Sequence, residues 1–227
     1  MTGGAGSHPV AATVRDVSIQ YGGLTVLDHV DIDIEAGAEL VISGRSGSGK
    51  TSLLLVLSGL ITPSTGTVVW PGLDPDPVRR RRQIAMVFQA PSLIPELSAS
   101  ENVCLPLRLS GETIEASTRA ASDALEQVGL DTAHGRVLPN EMSGGEQQRV
   151  SVARAIAMKP RLLLADEPTG ALDRSNAVGV ITALQQSARE NGSSLVVATH
   201  DEEVAKAFSE HLVVEDRFVR WVLPSPA

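Results

Sequence analysis

Aromatic side chains are scarce in this 227-residue chain, with one Tyr (Tyr21), two Trp (Trp70, Trp221) and three Phe (Phe88, Phe208, Phe218). Lysine is also rare: Lys50, Lys159 and Lys206 stand against sixteen arginines. A single cysteine, Cys104, excludes an internal disulfide and fits a reducing compartment. No apolar run approaches the ~20 residues of a membrane span, so direct membrane insertion is not expected. The start, MTGGAGSHPVAAT, has neither a basic region nor an apolar core, which argues against a signal peptide. Positive charge is in deficit too: the net charge of −8 argues against non-specific nucleic-acid binding and against direct lipid adhesion. What is present is enough to fold, since 42% of residues are hydrophobic. The expectation is a soluble intracellular protein of one α/β domain, alone or with a subdomain.

Residues 1–11 are rich in Gly, Ser and Ala and read as a flexible N-terminal tail. Alternating apolar and polar residues over Thr13–Tyr21 and Thr25–Ile34 predict antiparallel strands. Glu39–Ser43 is a short apolar strand that runs through a glycine-rich loop into the helical stretch TSLLLVLSGL. A strand over Thr65–Trp70, a proline-rich turn over Pro71–Pro77 and a strand over Ile84–Phe88 follow. From Ser98 to Lys159 the pattern is helical, with Ile114, Thr118, Ala121, Leu125 and Val128 on one face and Gly129 as its stop. Leu162–Ala165 and Ser194–Thr199 read as buried parallel strands around a helix from about Arg174 to Glu190. The expected organisation is one domain over 12–227, with a helical subdomain at about 90–160 inserted in its core.

Three motifs carry chemistry. Gly44-Arg45-Ser46-Gly47-Ser48-Gly49-Lys50-Thr51 fits Gly-x-x-x-x-Gly-Lys-Ser/Thr between a strand and a helix. Backbone N–H groups of such a loop point at phosphate oxygens, Lys50 bridges the β- and γ-phosphates, and the Thr51 hydroxyl ligates Mg²⁺. Arg161–Pro168 delivers Asp166 and Glu167 at the carboxyl end of a strand, where parallel sheets bind ligands. There Asp166 suits Mg²⁺ and Glu167 suits a base that polarises water. Met142-Ser143-Gly144-Gly145-Glu146 is a capping box with two glycines in the first turn, which also suits close approach of an anion.

With these residues in this order, the chain resembles the ATP-binding subunits of ABC transporters over nearly its whole length. The signature matches at Met142–Glu146, with Met for the usual Leu. The adenine-stacking aromatic corresponds to Tyr21, the Q-loop glutamine to Gln89, the D-loop to Ala171-Leu172-Asp173 and the switch histidine to His200. Thr51-Ser52 stands for the commoner Ser-Thr pair. The resemblance implies a P-loop NTPase core with a mainly parallel sheet, an N-terminal antiparallel β subdomain and an inserted α-helical subdomain. It implies ATP and Mg²⁺ as ligands, with metal contacts from Thr51, Gln89 and Asp166 and catalytic roles for Glu167 and His200. It also implies two copies meeting head-to-tail, with Ser143, Gly144, Gly145, Glu146 and Asp173 completing the partner's site. Transmembrane permease subunits are the implied partners, on the cytoplasmic face of the membrane. Within the family, FQAPSLIPELSASENVCLPL is most like the lipoprotein-releasing, macrolide- or peptide-exporting and cell-division ATPases. A mechanical, non-transporting ATPase and a soluble member of the family are the alternatives. The stretch from Trp70 to Arg82 is shorter than usual for that group. Arg79–Arg82 reads first as a solvated basic face, Cys104 as inert core, and His8, His29, His134 and His211 as lacking ligand spacing.

Overall fold

The computed structural model describes residues 10–131 and 133–222. Two sheets share one chain. Strands β1 (Val10–Tyr21), β2 (Leu24–Glu35) and β4 (Thr65–Val69) form an antiparallel sheet of order β2-β1-β4. The larger sheet has the order β5-β6-β7-β3-β8-β9, from β5 (Ile84–Val87), β6 (Leu162–Asp166), β7 (Ser194–Thr199), β3 (Glu39–Ser43), β8 (Glu210–Glu215) and β9 (Phe218–Trp221). Its pairs are parallel except for the last hairpin. Every residue of β6 and β7 is buried, as expected for central strands covered on both faces.

Among the described residues seven α-helices surround this sheet: α1 (Lys50–Leu57), α2 (Pro77–Arg81), α3 (Ala99–Leu109), α4 (Ile114–Gln127), α5 (Gly144–Ala157), α6 (Arg174–Asn191) and α7 (Glu202–Ala205). Helices α3, α4 and α5 lie between β5 and β6 in the chain and share one apolar cluster with Val87, Leu163 and Leu184. A second cluster joins the N-terminal sheet to α1 and to the other face of the parallel strands, through Leu27, Leu53, Leu57, Leu164 and Val196. No helix among the described residues is long and apolar enough to cross a membrane.

Three expectations shift. Strand β1 begins at Val10, so Val10 and Ala11 belong to the sheet rather than to a tail; residues 1–9 lie outside the described residues. The proline-rich stretch ends in a helix, because Asp76 caps it by accepting from the N–H groups of Val78 and Arg79 and Pro77 opens it. The inward face of α4 keeps Ala121, Leu125 and Val128 as expected but takes Ser117 and Ala124 in place of Ile114, which is 64% exposed, and Thr118, which is exposed. Thr113 caps the helix, which leaves Ile114 at its first position, facing out. The small side chains then let α4 approach α3 and α5, with Cys104 Sγ 3.4 Å from the Ser117 carbonyl.

Candidate active site

Strands β3 and β6 end at the same edge of the parallel sheet, with β7 between them. The loop Gly44–Gly49 leaves β3 and turns into α1 there. Gly44 admits no side chain, because a Cβ would lie 2.5 Å from the Val214 carbonyl oxygen. Gly49 holds φ +110 and would place a Cβ 2.9 Å from Leu27 and 3.1 Å from Val26. The loop therefore packs against the start of β2, and the β1–β2 hairpin carries Tyr21, half-exposed, at its turn. Gly49 is the N-cap of α1 and offers no side-chain hydrogen bond. The other six α-helices each carry a capping side chain: Asp76, Ser98, Thr113, Ser143, Asp173 and Asp201. The first-turn N–H groups of α1 thus keep their capacity for an anion.

Side chains from α1 and from the end of β6 converge on this loop. Lys50, only 6% exposed, donates from Nζ to the carbonyls of Gly44 (2.8 Å) and Arg45 (3.2 Å) and lies 3.6 Å from Glu167 Oε1. Thr51 donates to Asp166 Oδ2 at 2.7 Å. Asp166 Oδ1 is buried and has no hydrogen-bond partner among the described residues. Burial pushes the Asp166 carboxyl up, countered by the Thr51 bond and reinforced by the neighbouring Glu167 charge. A buried carboxylate with one orphan oxygen beside a hydroxyl is a hard-oxygen donor set, which fits Mg²⁺. Ser48 Oγ, in the glycine loop itself, is another buried oxygen without a partner among the described residues.

Glu167 sits at φ +45, an uncommon backbone for a side chain of its type. Its N–H donates to the Ala198 carbonyl at 2.9 Å, which ties it to β7. Oε2 accepts from Thr199 Oγ1 (3.2 Å) and from the His200 N–H (3.4 Å), and Oε1 lies 2.8 Å from His200 Nδ1. An ionised carboxylate can only accept, so His200 donates from Nδ1 and leaves Nε2 free of this contact. Thr199 is absent from the sequence expectation. Its signal is a hydroxyl at a fully buried strand end in an otherwise apolar run.

The other expected residues occupy two further places. Gln89 is exposed just past the end of β5, at the same sheet edge. Ser143 caps α5: its Oγ accepts from the Glu146 N–H (3.2 Å) and donates to Glu146 Oε2 (2.7 Å), which also accepts from the Ser143 N–H (2.8 Å). Those bonds hold the Glu146 carboxyl below the usual carboxylate range. A Cβ on Gly144 would meet nothing within 4 Å, whereas one on Gly145 would lie 3.1 Å from Leu172 and 3.6 Å from the Ala171 carbonyl. The start of α5 is thus packed on the Ala171–Asp173 loop, where Asp173 caps α6 by accepting from Asn176. Among the described residues no hydrogen bond or ion pair joins Ser143–Glu146 to Gly44–Thr51.

Known proteins are similar to this chain in sequence and fold. The model of the ABC transporter family matches residues 27–170. The lipoprotein-releasing system ATP-binding protein LolD 2 of Caulobacter vibrioides is 41% identical over 220 residues, covering 92% of this chain and 96% of that protein. The ABC transporter ATP-binding protein YtrE of Bacillus subtilis is 42% identical over 79% of this chain and 80% of its own length. A solved structure of the ATP-binding cassette MJ0796, dimeric, in a post-hydrolysis state and bound to ADP and Pi, superposes with a TM-score of 0.85 at 34% identity, covering 93% of this chain and 97% of that one. Sequence match and superposition run through the loop, both strand ends and the α5 cap alike, so this chain belongs to the ABC transporter family, as one of its ATP-binding and ATP-hydrolysing subunits.

Proposed function

We propose that this chain is the ATPase subunit of a transporter of the export or lipid-extraction type, which works as a head-to-tail pair on Mg²⁺ and ATP. The observation that carries the reading is the placement of Lys50, Thr51, Asp166 and Glu167 around one glycine loop, with Lys50 Nζ 3.6 Å from Glu167. The near full-length likeness to LolD 2, a lipoprotein-releasing protein, supports the transport type.

In this reading Tyr21 stacks on adenine. The N–H groups of Gly44–Thr51, with Arg45, Ser46, Gly47 and Ser48 shaping the loop and Ser52 continuing the helix, hold the phosphates. Lys50 places its charge between the β- and γ-phosphates. Thr51, Asp166 and Gln89 would hold Mg²⁺, which when bound offsets phosphate charge. Glu167 orients a water and accepts its proton as the water oxygen bonds to the γ-phosphorus and the bond to the β–γ bridging oxygen breaks. His200 steadies Glu167 through Nδ1 and turns Nε2 to the γ-phosphate. Ser143 and Gly145 serve a second chain, since they share no bond with their own loop. Two such halves related by a two-fold axis form two equivalent sites. Release of phosphate then loosens the pair, and Gln89 transmits the change to transmembrane permease subunits at the cytoplasmic face of the membrane.

The test is Glu167→Gln. We expect an ATP-dependent dimer in light scattering after gel filtration and a fall in kcat of about 10²–10⁴-fold. A variant that stays monomeric in saturating ATP and hydrolyses at the wild-type rate removes Glu167 from this role.

A further inference from the structure

Five arginines and two exposed apolar side chains share one face of the molecule, and no step of ATP binding or hydrolysis uses them. Helix α2 buries none of its residues. Arg79, Arg81 and Arg82 are exposed, and the Arg80 guanidinium lies over Trp70, 4.4 Å from the ring centroid. Arg82 donates from Nη1 to the Ser110 carbonyl (3.4 Å), which sets the run beside the end of α3. Arg108 and Leu109 are exposed there, and Val78 is exposed on α2. Among the described residues, arginines pair with carboxylates at Arg15–Asp33, Arg174–Glu203 and Arg189–Glu39, never on this face. The acids close in sequence are Asp74 and Asp76, whose Oδ1 atoms accept from backbone N–H groups of the turn, and Glu112, which is exposed past Leu109.

Exposed charges act over about one Debye length, ~8 Å at physiological ionic strength, so the −8 total does not set the potential here. Guanidinium forks match phosphate oxygens, and exposed Leu and Val beside them suit the headgroup boundary. A short helix with no buried residue is a projecting face, not a groove, which favours a charged surface over a protein segment. Clusters of this size are the form that anionic-lipid recognition takes. We propose that Arg79, Arg81, Arg82 and Arg108, with Val78 and Leu109, hold this subunit against anionic phospholipid headgroups. The contact does not depend on the ATP-site roles above.

Cosedimentation of the intact chain with vesicles tests it. Vesicles of phosphatidylcholine alone are compared with vesicles containing about one third phosphatidylglycerol, at low and physiological salt. We expect binding to the anionic vesicles only, weakening as salt rises. The combined variant Arg79→Gln, Arg81→Gln, Arg82→Gln should lower the partition coefficient about 10–100-fold, with ATPase rate and melting temperature unchanged. A matched variant of Arg119, Arg217 and Arg220 to Gln should bind as wild type. Wild-type protein that ignores phosphatidylglycerol overturns the proposal and leaves the arginines to an acidic protein segment or to solvent. An equal loss in the matched variant overturns it too, because overall charge would then account for the binding.

Discussion

The molecule holds two helix starts fit for an anion, and they are built in opposite ways. At α1 the cap is a glycine without a side chain, and Lys50, Asp166 and Glu167 around it are buried, with Lys50 3.6 Å from Glu167 and Thr51 donating to Asp166. At α5 the cap is Ser143, whose hydroxyl is already committed to Glu146, and Gly144 faces open space. The first corner is set before any ligand arrives. The second must exchange an internal hydrogen bond for an external one, an exchange that costs little because a cap contributes only about 1 kcal/mol. Such a corner answers to whatever completes it, while the α1 corner is expected to bind by itself.

The largest effect should come from the first corner. Lys50→Ala is expected to weaken nucleotide binding by about 100-fold or more in a fluorescent-nucleotide titration; retained affinity would mean that the α5 corner can bind alone. Ser143→Ala should leave affinity of the single chain within about two-fold yet lower ATPase by about 100-fold. Its melting temperature should drop roughly 2–4 °C from the lost cap. Thr199→Val should lower kcat about 10-fold with nucleotide affinity unchanged, because the Glu167 carboxylate loses a buried donor. Thr199→Ser should restore most of that rate, which a purely space-filling role would not require. The smallest effect concerns stability. Burial raises the folded-state pKa of Asp166 above its unfolded value, so its ionised form opposes folding once pH exceeds the carboxylate range. Asp166→Asn without magnesium should therefore melt about 2–4 °C higher at neutral pH. That advantage should shrink as pH falls through the same range; a constant gap would trace it to another cause.

Much of the first corner is legible in sequence because its parts are local. The spacing of Gly44, Gly49, Lys50 and Thr51 encodes a strand-to-helix turn, and the apolar runs before it and around Asp166 encode buried strands. What is not legible is what meets across the sheet. The 3.6 Å approach of Lys50 to Glu167 joins residues far apart in the chain, and Thr199 enters only because β7 lies beside β6. On α4 periodicity finds Ala121, Leu125 and Val128 in the core but also counts Ile114, which the cap at Thr113 leaves at the first position of the helix, facing out. Helix α2 has no counterpart in the sequence reading, because a proline-rich composition hides an Asp-Pro helix start.

Glu167 holds a left-handed backbone while carrying a side chain that gains nothing from it. Asn or Gly would fit that conformation with less strain. On the role proposed for Glu167, a library screened for heat resistance alone should therefore drift toward a small residue at this position and return proteins that melt later and no longer turn over. Durability and turnover would then pull in opposite directions at a single peptide unit, and a screen would have to score both to keep it.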